Sequence, residues 1–193
     1  MPLHYVITDA LVLAVAAGGA GLLLRRRQPL AAGGMLLFAL AALLGVIRIS
    51  TGAEGLAPIH RLVSQAGGLI GLLLLLSALV SSRGWTGNPW PGLLVAALGG
   101  GLALLLPAAI APVFLLGLVI ATVLASTAPC VWRFRLPAVI GSALMIPNLV
   151  LVRNSAALGP DVSWHLYHLI VAAWLLAIAL LLTARRAQST ATV

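Results

Sequence analysis

Seven apolar stretches of about 17–25 residues, separated by connections of only about 2–10 residues, take up nearly the whole chain. That is the length an α-helix needs to cross the hydrocarbon core of a bilayer, and helices leave no backbone group unsatisfied there. The stretches fall at 5–24, 30–50, 60–80, 91–107, 109–128, 135–152 and 162–184. Pro107 and Pro112 bracket the turn between the fourth and fifth, because 91–128 is too long for one span and would hold proline in its interior. Composition agrees: with 62% hydrophobic and 7% charged residues there is too little polar surface to cover a soluble globule. The expectation is an all-α, polytopic membrane protein, a seven-transmembrane helix bundle forming one domain over 1–193.

Charge gives the orientation. Eleven arginines against three acids give a formal charge of +8, which in a soluble chain would suggest nucleic acid. Here an external N-terminus puts Arg25, Arg26, Arg27, Arg83, Arg133, Arg135, Arg185 and Arg186 in the cytoplasm. Only Arg48, Arg61 and Arg153 are then left outside. That distribution obeys the positive-inside rule, so no nucleic-acid partner is expected and the C-terminus is cytoplasmic. Asp9 interrupts the first apolar run and the basic cluster follows it, so the segment reads as a retained helix and not a signal peptide. The expected location is a bacterial cytoplasmic (inner) membrane. Trp85, Trp90 and Trp132 fall in cytoplasmic connections, Trp164 near the outer interface and Trp174 mid-span. The chain has no lysine, which excludes a Schiff-base chromophore, and Cys130 stands alone, which excludes an intrachain disulfide.

On this topology every histidine (His4, His60, His165, His168) and every acid (Asp9, Glu54, Asp161) lies in the outer half, together with Arg48, Arg61 and Arg153. Asp161, His165 and His168 fall at i, i+4 and i+7, one narrow helical stripe. Ionisable groups inside a membrane helix cost roughly 2.5–3.5 kcal/mol each, so such a stripe meets partners, a metal, a cofactor or water. On the third span His60 is followed by Ser64, Gly67, Gly68 and Gly71, a small-residue face that allows close approach of a neighbour. Asn148 follows Pro147, whose missing N–H loosens the sixth span, and Arg48 and Arg153 offer partners to an anion. Plainer roles stand beside these: His4 and Glu54 at the aqueous boundary, snorkelling arginines, and Asp9 and Asp161 as helix N-terminal charges.

Imidazole suits zinc, and two histidines one turn apart could share an ion with a third on another helix. His60, His165 and His168 are that candidate ligand set, with Asp161 or Asp9 as ligand, hydrogen-bond acceptor or acid/base group, and Arg48 and Asn148 as ligand-binding residues. Haem b or a quinone headgroup between His60 and His165 or His168 is the redox alternative, with Arg48 or Arg61 on the propionates.

Seven spans, an external N-terminus and a histidine pair early in the last helix (DVSWHLYHLIVAAW) resemble the CREST superfamily of alkaline ceramidases, progestin/adipoQ receptors and Per1-like proteins. The first two spans, ITDALVLAVAA and LFALAALLGVI, are similar to small bacterial seven-helix proteins of that type. The resemblance implies a zinc site of three histidines with a nearby Asp and Ser, hydrolysing a lipid amide or related bond. The superfamily spaces its last pair as His-x-x-x-His, where this chain has His165-x-x-His168, and its second-span Ser-x-x-x-His is replaced here by Arg48-Ile49-Ser50. His60-x-x-x-Ser64 on the third span is the nearest substitute, which makes Ser64 the candidate serine. Three readings follow: a zinc-dependent hydrolase acting on a membrane lipid-like amide or ester, a haem or quinone redox protein, and a non-enzymatic subunit or receptor-like protein. The last would use its outer polar network for a small ligand, a membrane protein partner or a second copy.

Overall fold

The computed structural model describes residues 2–83, 88–153 and 155–189, with side chains to residue 184. Trp85, expected in a connection, lies outside the described residues, as do the side chains of Arg185 and Arg186. The described residues are helical, without strand. In chain order the helices are α1 (Tyr5–Arg25), α2 (Pro29–Thr51), α3 (Glu54–Ser81), α4 (Trp90–Leu105), α5 (Pro107–Ser126), α6 (Trp132–Val152) and α7 (Gly159–Ser189). Six of them are long and apolar enough to cross a membrane. The exception is α4, whose 16 residues rise only about 24 Å against a hydrocarbon core of about 30 Å.

Local chemistry sets the boundaries. Pro29 occupies the first turn of α2, where its missing N–H costs nothing, and Gly52 ends that helix in the left-handed region (φ 67°). Leu106 breaks from helical geometry before Pro107, so α4 and α5 part at the proline expected to divide them. Two helices carry a π-helical segment: Val63–Gly67 in α3 and Asn148–Val152 in α6, the latter directly after Pro147. The third helix also begins earlier than its apolar run suggests, at Glu54, which places His60 roughly 9 Å along the rod and not at its tip.

Neighbours pack in the order α1–α2–α3–α5–α6–α7 and back to α1, a closed ring of six helices, while α4 lies outside and leans on α3. Because no hydrophobic force drives helices together in lipid, close packing must hold the ring, and small residues supply it. Ala16, Ala20, Ala31 and Ala32 are buried between α1 and α2. At Gly71, a Cβ would come within 3.0 Å of the Gly34 carbonyl oxygen and 2.9 Å of the Phe38 ring, so the small-residue face of α3 does admit α2. Trp174 belongs to the main core and is fully buried. Its indole N–H donates to Ser142 Oγ at 3.1 Å and its ring meets Phe38 edge-on at 5.5 Å. The mid-span tryptophan is thus a packing residue with its polar atom satisfied.

Candidate functional site: a cavity at the polar end

Antiparallel neighbours bring the start of α1, α3, α5 and α7 to the same end of the bundle as the finish of α2 and α6. There the ring opens into a cavity of about 570 Å³ lined by all six of its helices. Val12, Phe38, Ala42, Phe114, Met145 and Val171 make apolar wall, whereas Arg48, His60, Arg61, Ser64, Gln65 and Arg153 supply polar groups. Both π segments contribute lining residues: Ser64 and Gln65 from α3, Leu149 and Val150 from α6. A π turn adds a residue and re-aims the side chains around it, a device concentrated at functional sites.

The cavity's one carboxylate is Asp9, whose side chain is only 3% exposed. Its Oδ1 lies 3.0 Å from His168 Nε2. The other ring nitrogen of His168, Nδ1, is 2.8 Å from the Trp164 carbonyl oxygen, which can only accept, so Nδ1 carries a proton and donates it. Asp9 Oδ2 rests on Gly45 of α2, at the place where any Cβ would stand, and His60 Nε2 lies 3.3 Å from that same position. Gly45 is therefore the residue that lets α1, α2 and α3 bring Asp9 and His60 together. His60 makes no hydrogen bond among the described residues, so its imidazole remains available to the cavity.

The stripe of Asp161, His165 and His168 faces α1, and α1 divides it. His165 and His168 are about 60° apart around the helix. His165 Nδ1 pairs with Thr8 Oγ1 at 3.2 Å, while His168 meets Asp9, the next residue of α1. Asp161 stays at the rim, where it accepts from Tyr5 Oη at 2.6 Å and lies 3.5 Å from His4 Nε2. Tyr5 in turn stacks on Trp164 with centroids 4.8 Å apart. Five of the eight expected site residues, Asp9, Arg48, His60, Ser64 and His168, thus share the cavity, whereas His165 and Asp161 belong to a rim cluster. Asn148 lies apart from both: fully buried, it donates from Nδ2 to the Tyr167 carbonyl at 3.0 Å and clasps α6 to α7. Glu54 is exposed in the first turn of α3.

No protein-family model, curated protein or solved structure matches the chain.

Among the described residues, no group of three or more His, Cys, Asp or Glu is placed to hold a metal ion. His165 pairs with Thr8 and is not among the residues lining the cavity with His60, and Nε2 of His168, the atom a metal would need, is engaged by Asp9. Ser64 makes no hydrogen bond to a histidine among the described residues. What the cavity does offer is cationic and hydrogen-bonding groups over an apolar interior. Sequence reasoning missed Gly45, Gln65 and Tyr167. Tyr167 adjoins His168 and carries the Arg153 guanidinium 5.6 Å from its ring centroid, but nothing in an apolar stretch marks Gly45 as the seat of a carboxylate.

Proposed function

We propose that this chain is a seven-span membrane protein with its N-terminus outside, and that its outer-end cavity binds a small amphipathic ligand. The observation that carries the reading is the cavity itself: 570 Å³, within the range of small-molecule sites, contributed by every helix of the ring and passing from arginines and histidine to apolar wall. The orientation rests on the arginines, which crowd the end opposite the cavity. With α4 counted as a short span, the alternation of helix directions returns the chain to the cytoplasm at its C-terminus. The role is receptor-like or ligand-holding: the polar groups face the cavity.

The test is native mass spectrometry of tag-free protein extracted in mild detergent, alongside Ala41→Trp. Ala41 lines the cavity one turn before Gly45, so an indole there fills space that the ligand needs. The wild type is expected to carry a bound amphiphile that the folded variant lacks. An empty wild type, or a variant that carries the same molecule, contradicts the proposal.

A further inference from the structure

The wall of the cavity is uneven. Among the described residues that line it, the exposed ones are Arg61 and Gln65 on α3, Pro107 and Ala111 on α5, and Val150 and Arg153 on α6, whereas none on α1, α2 or α7 is exposed. The ring is therefore open on one side. Ala57, Arg61 and Gln65, spaced four residues apart along α3, also border a depression that includes the exposed Pro58 and Leu62. Such a stripe is the edge of a doorway, with the cavity on one hand and the surroundings on the other. Pro107 and Ala111 make the facing edge on α5. Directly beneath, Ala66 and Leu69 of α3, Ala103 of α4 and Val113 and Phe114 of α5 close the seam as a small apolar core.

What lies outside that doorway follows from the turn between α4 and α5. The turns after α2 and α6, at the same end, carry Glu54 and Ser155, but from Leu93 to Ala121 the chain holds no charged, amide or hydroxyl side chain. At the turn itself Leu104, Leu105 and Leu106 are 65%, 82% and 58% exposed. Three adjacent exposed leucines belong in lipid and not in water. The broken helix can stay there because its backbone is bonded: Leu106 N–H donates to the Leu102 carbonyl at 2.8 Å and Ala109 N–H to the Leu106 carbonyl at 2.9 Å. With the exposed Trp90 anchoring α4 at the opposite interface, its rise of about 24 Å stops about 6 Å short of the far face of the hydrocarbon core. The doorway above the end of α4 thus opens among acyl chains.

We infer that the cavity is entered sideways from the outer leaflet, between α3 and α5, and that its ligand is an amphiphile dissolved in the bilayer and not a solute of the external water. Arg61 and Gln65 give the headgroup a polar edge to follow along α3, while Pro107 and Ala111 leave an apolar edge for the chain. The inference rests on the proposal that the cavity is a ligand site, and the experiment separates the two.

The measurement is the alkylation rate of Ser64→Cys in a Cys130→Ser background, in phosphatidylcholine vesicles. Ser64 lines the cavity beside the doorway's edge, and the replacement is nearly isosteric. N-dodecylmaleimide approaches from the bilayer and a sulfonated maleimide from water, each rate being normalised to that of the unfolded protein. The bilayer reagent should react at least tenfold faster. Ala111→Trp, or the smaller Ala111→Phe, placed at an exposed position and verified as folded by circular dichroism, should slow it at least tenfold. Leu116→Trp, on the 60% exposed lipid face of α5, should not. A faster sulfonated reagent, slowing by Val150→Trp in place of Ala111→Trp, or a rate that no plug changes overturns this inference alone. Reaction with neither reagent, in protein whose thiol reacts fully once unfolded, overturns the ligand-site reading beneath it.

Discussion

Replacing Gly45 by alanine puts one methyl group where the Asp9 carboxylate rests, 3.2 Å from its Cγ and 3.3 Å from His60 Nε2. The carboxylate must move, and it holds His168 at 3.0 Å. Overpacking of this kind costs about 1–3 kcal/mol, and stretching a buried pair adds to it. Against that, alanine inside a helix gains about 1 kcal/mol over glycine. The net expectation is a loss of about 2 kcal/mol, which for a chain of this length lowers Tm by roughly 4–8 °C. In an Asp9→Ala background the clash with the carboxylate is absent and only the tight 3.3 Å approach to His60 Nε2 opposes the helix gain, so Gly45→Ala should become neutral or stabilising by up to about 1 kcal/mol. The assay is a double-mutant cycle of thermal unfolding in one detergent. A coupling of about 2–3 kcal/mol is expected; additivity within about 0.5 kcal/mol refutes the placement of Asp9 against Gly45.

The two histidines of the last helix should behave differently. His168→Ala leaves a buried carboxylate without its partner and should cost about 3–5 kcal/mol, whereas His165→Ala forfeits one bond to Thr8 and should cost about 1 kcal/mol. Parallel thermal melts check this, and the reverse order contradicts the division of the stripe by α1. Ser142→Ala strands the buried indole N–H of Trp174 and should cost about 1–3 kcal/mol with a shift in tryptophan emission. An unchanged spectrum and Tm would place that indole elsewhere.

The spans were legible because membrane length and proline chemistry both act locally: the expected 30–50 and 135–152 lie within a few residues of Pro29–Thr51 and Trp132–Val152. The polar end was legible too, since alternating helix direction alone brings Asp9, His60 and His168 to one side. Which of these touch was not. A three-residue spacing leaves two side chains about 60° apart, and only the packing of α1 decides that Thr8 takes His165 and Asp9 takes His168. Helical phase was also lost at the two π segments, where one added residue turns Ser64 and Gln65 toward the cavity and buries Asn148 against Tyr167. Those contacts are long-range and leave no periodic trace in the chain.

The most direct test of the cavity as the binding site is the ¹⁵N-histidine spectrum of tag-free protein, assigned with single His→Gln variants and titrated with the amphiphile that native mass spectrometry finds bound. The imidazole that lines the cavity without a hydrogen-bond partner is His60, so its signals should move with ligand while those of His165, held by Thr8 at the rim, stay fixed. Movement of His165 with a fixed His60, or no movement of either, would contradict the account.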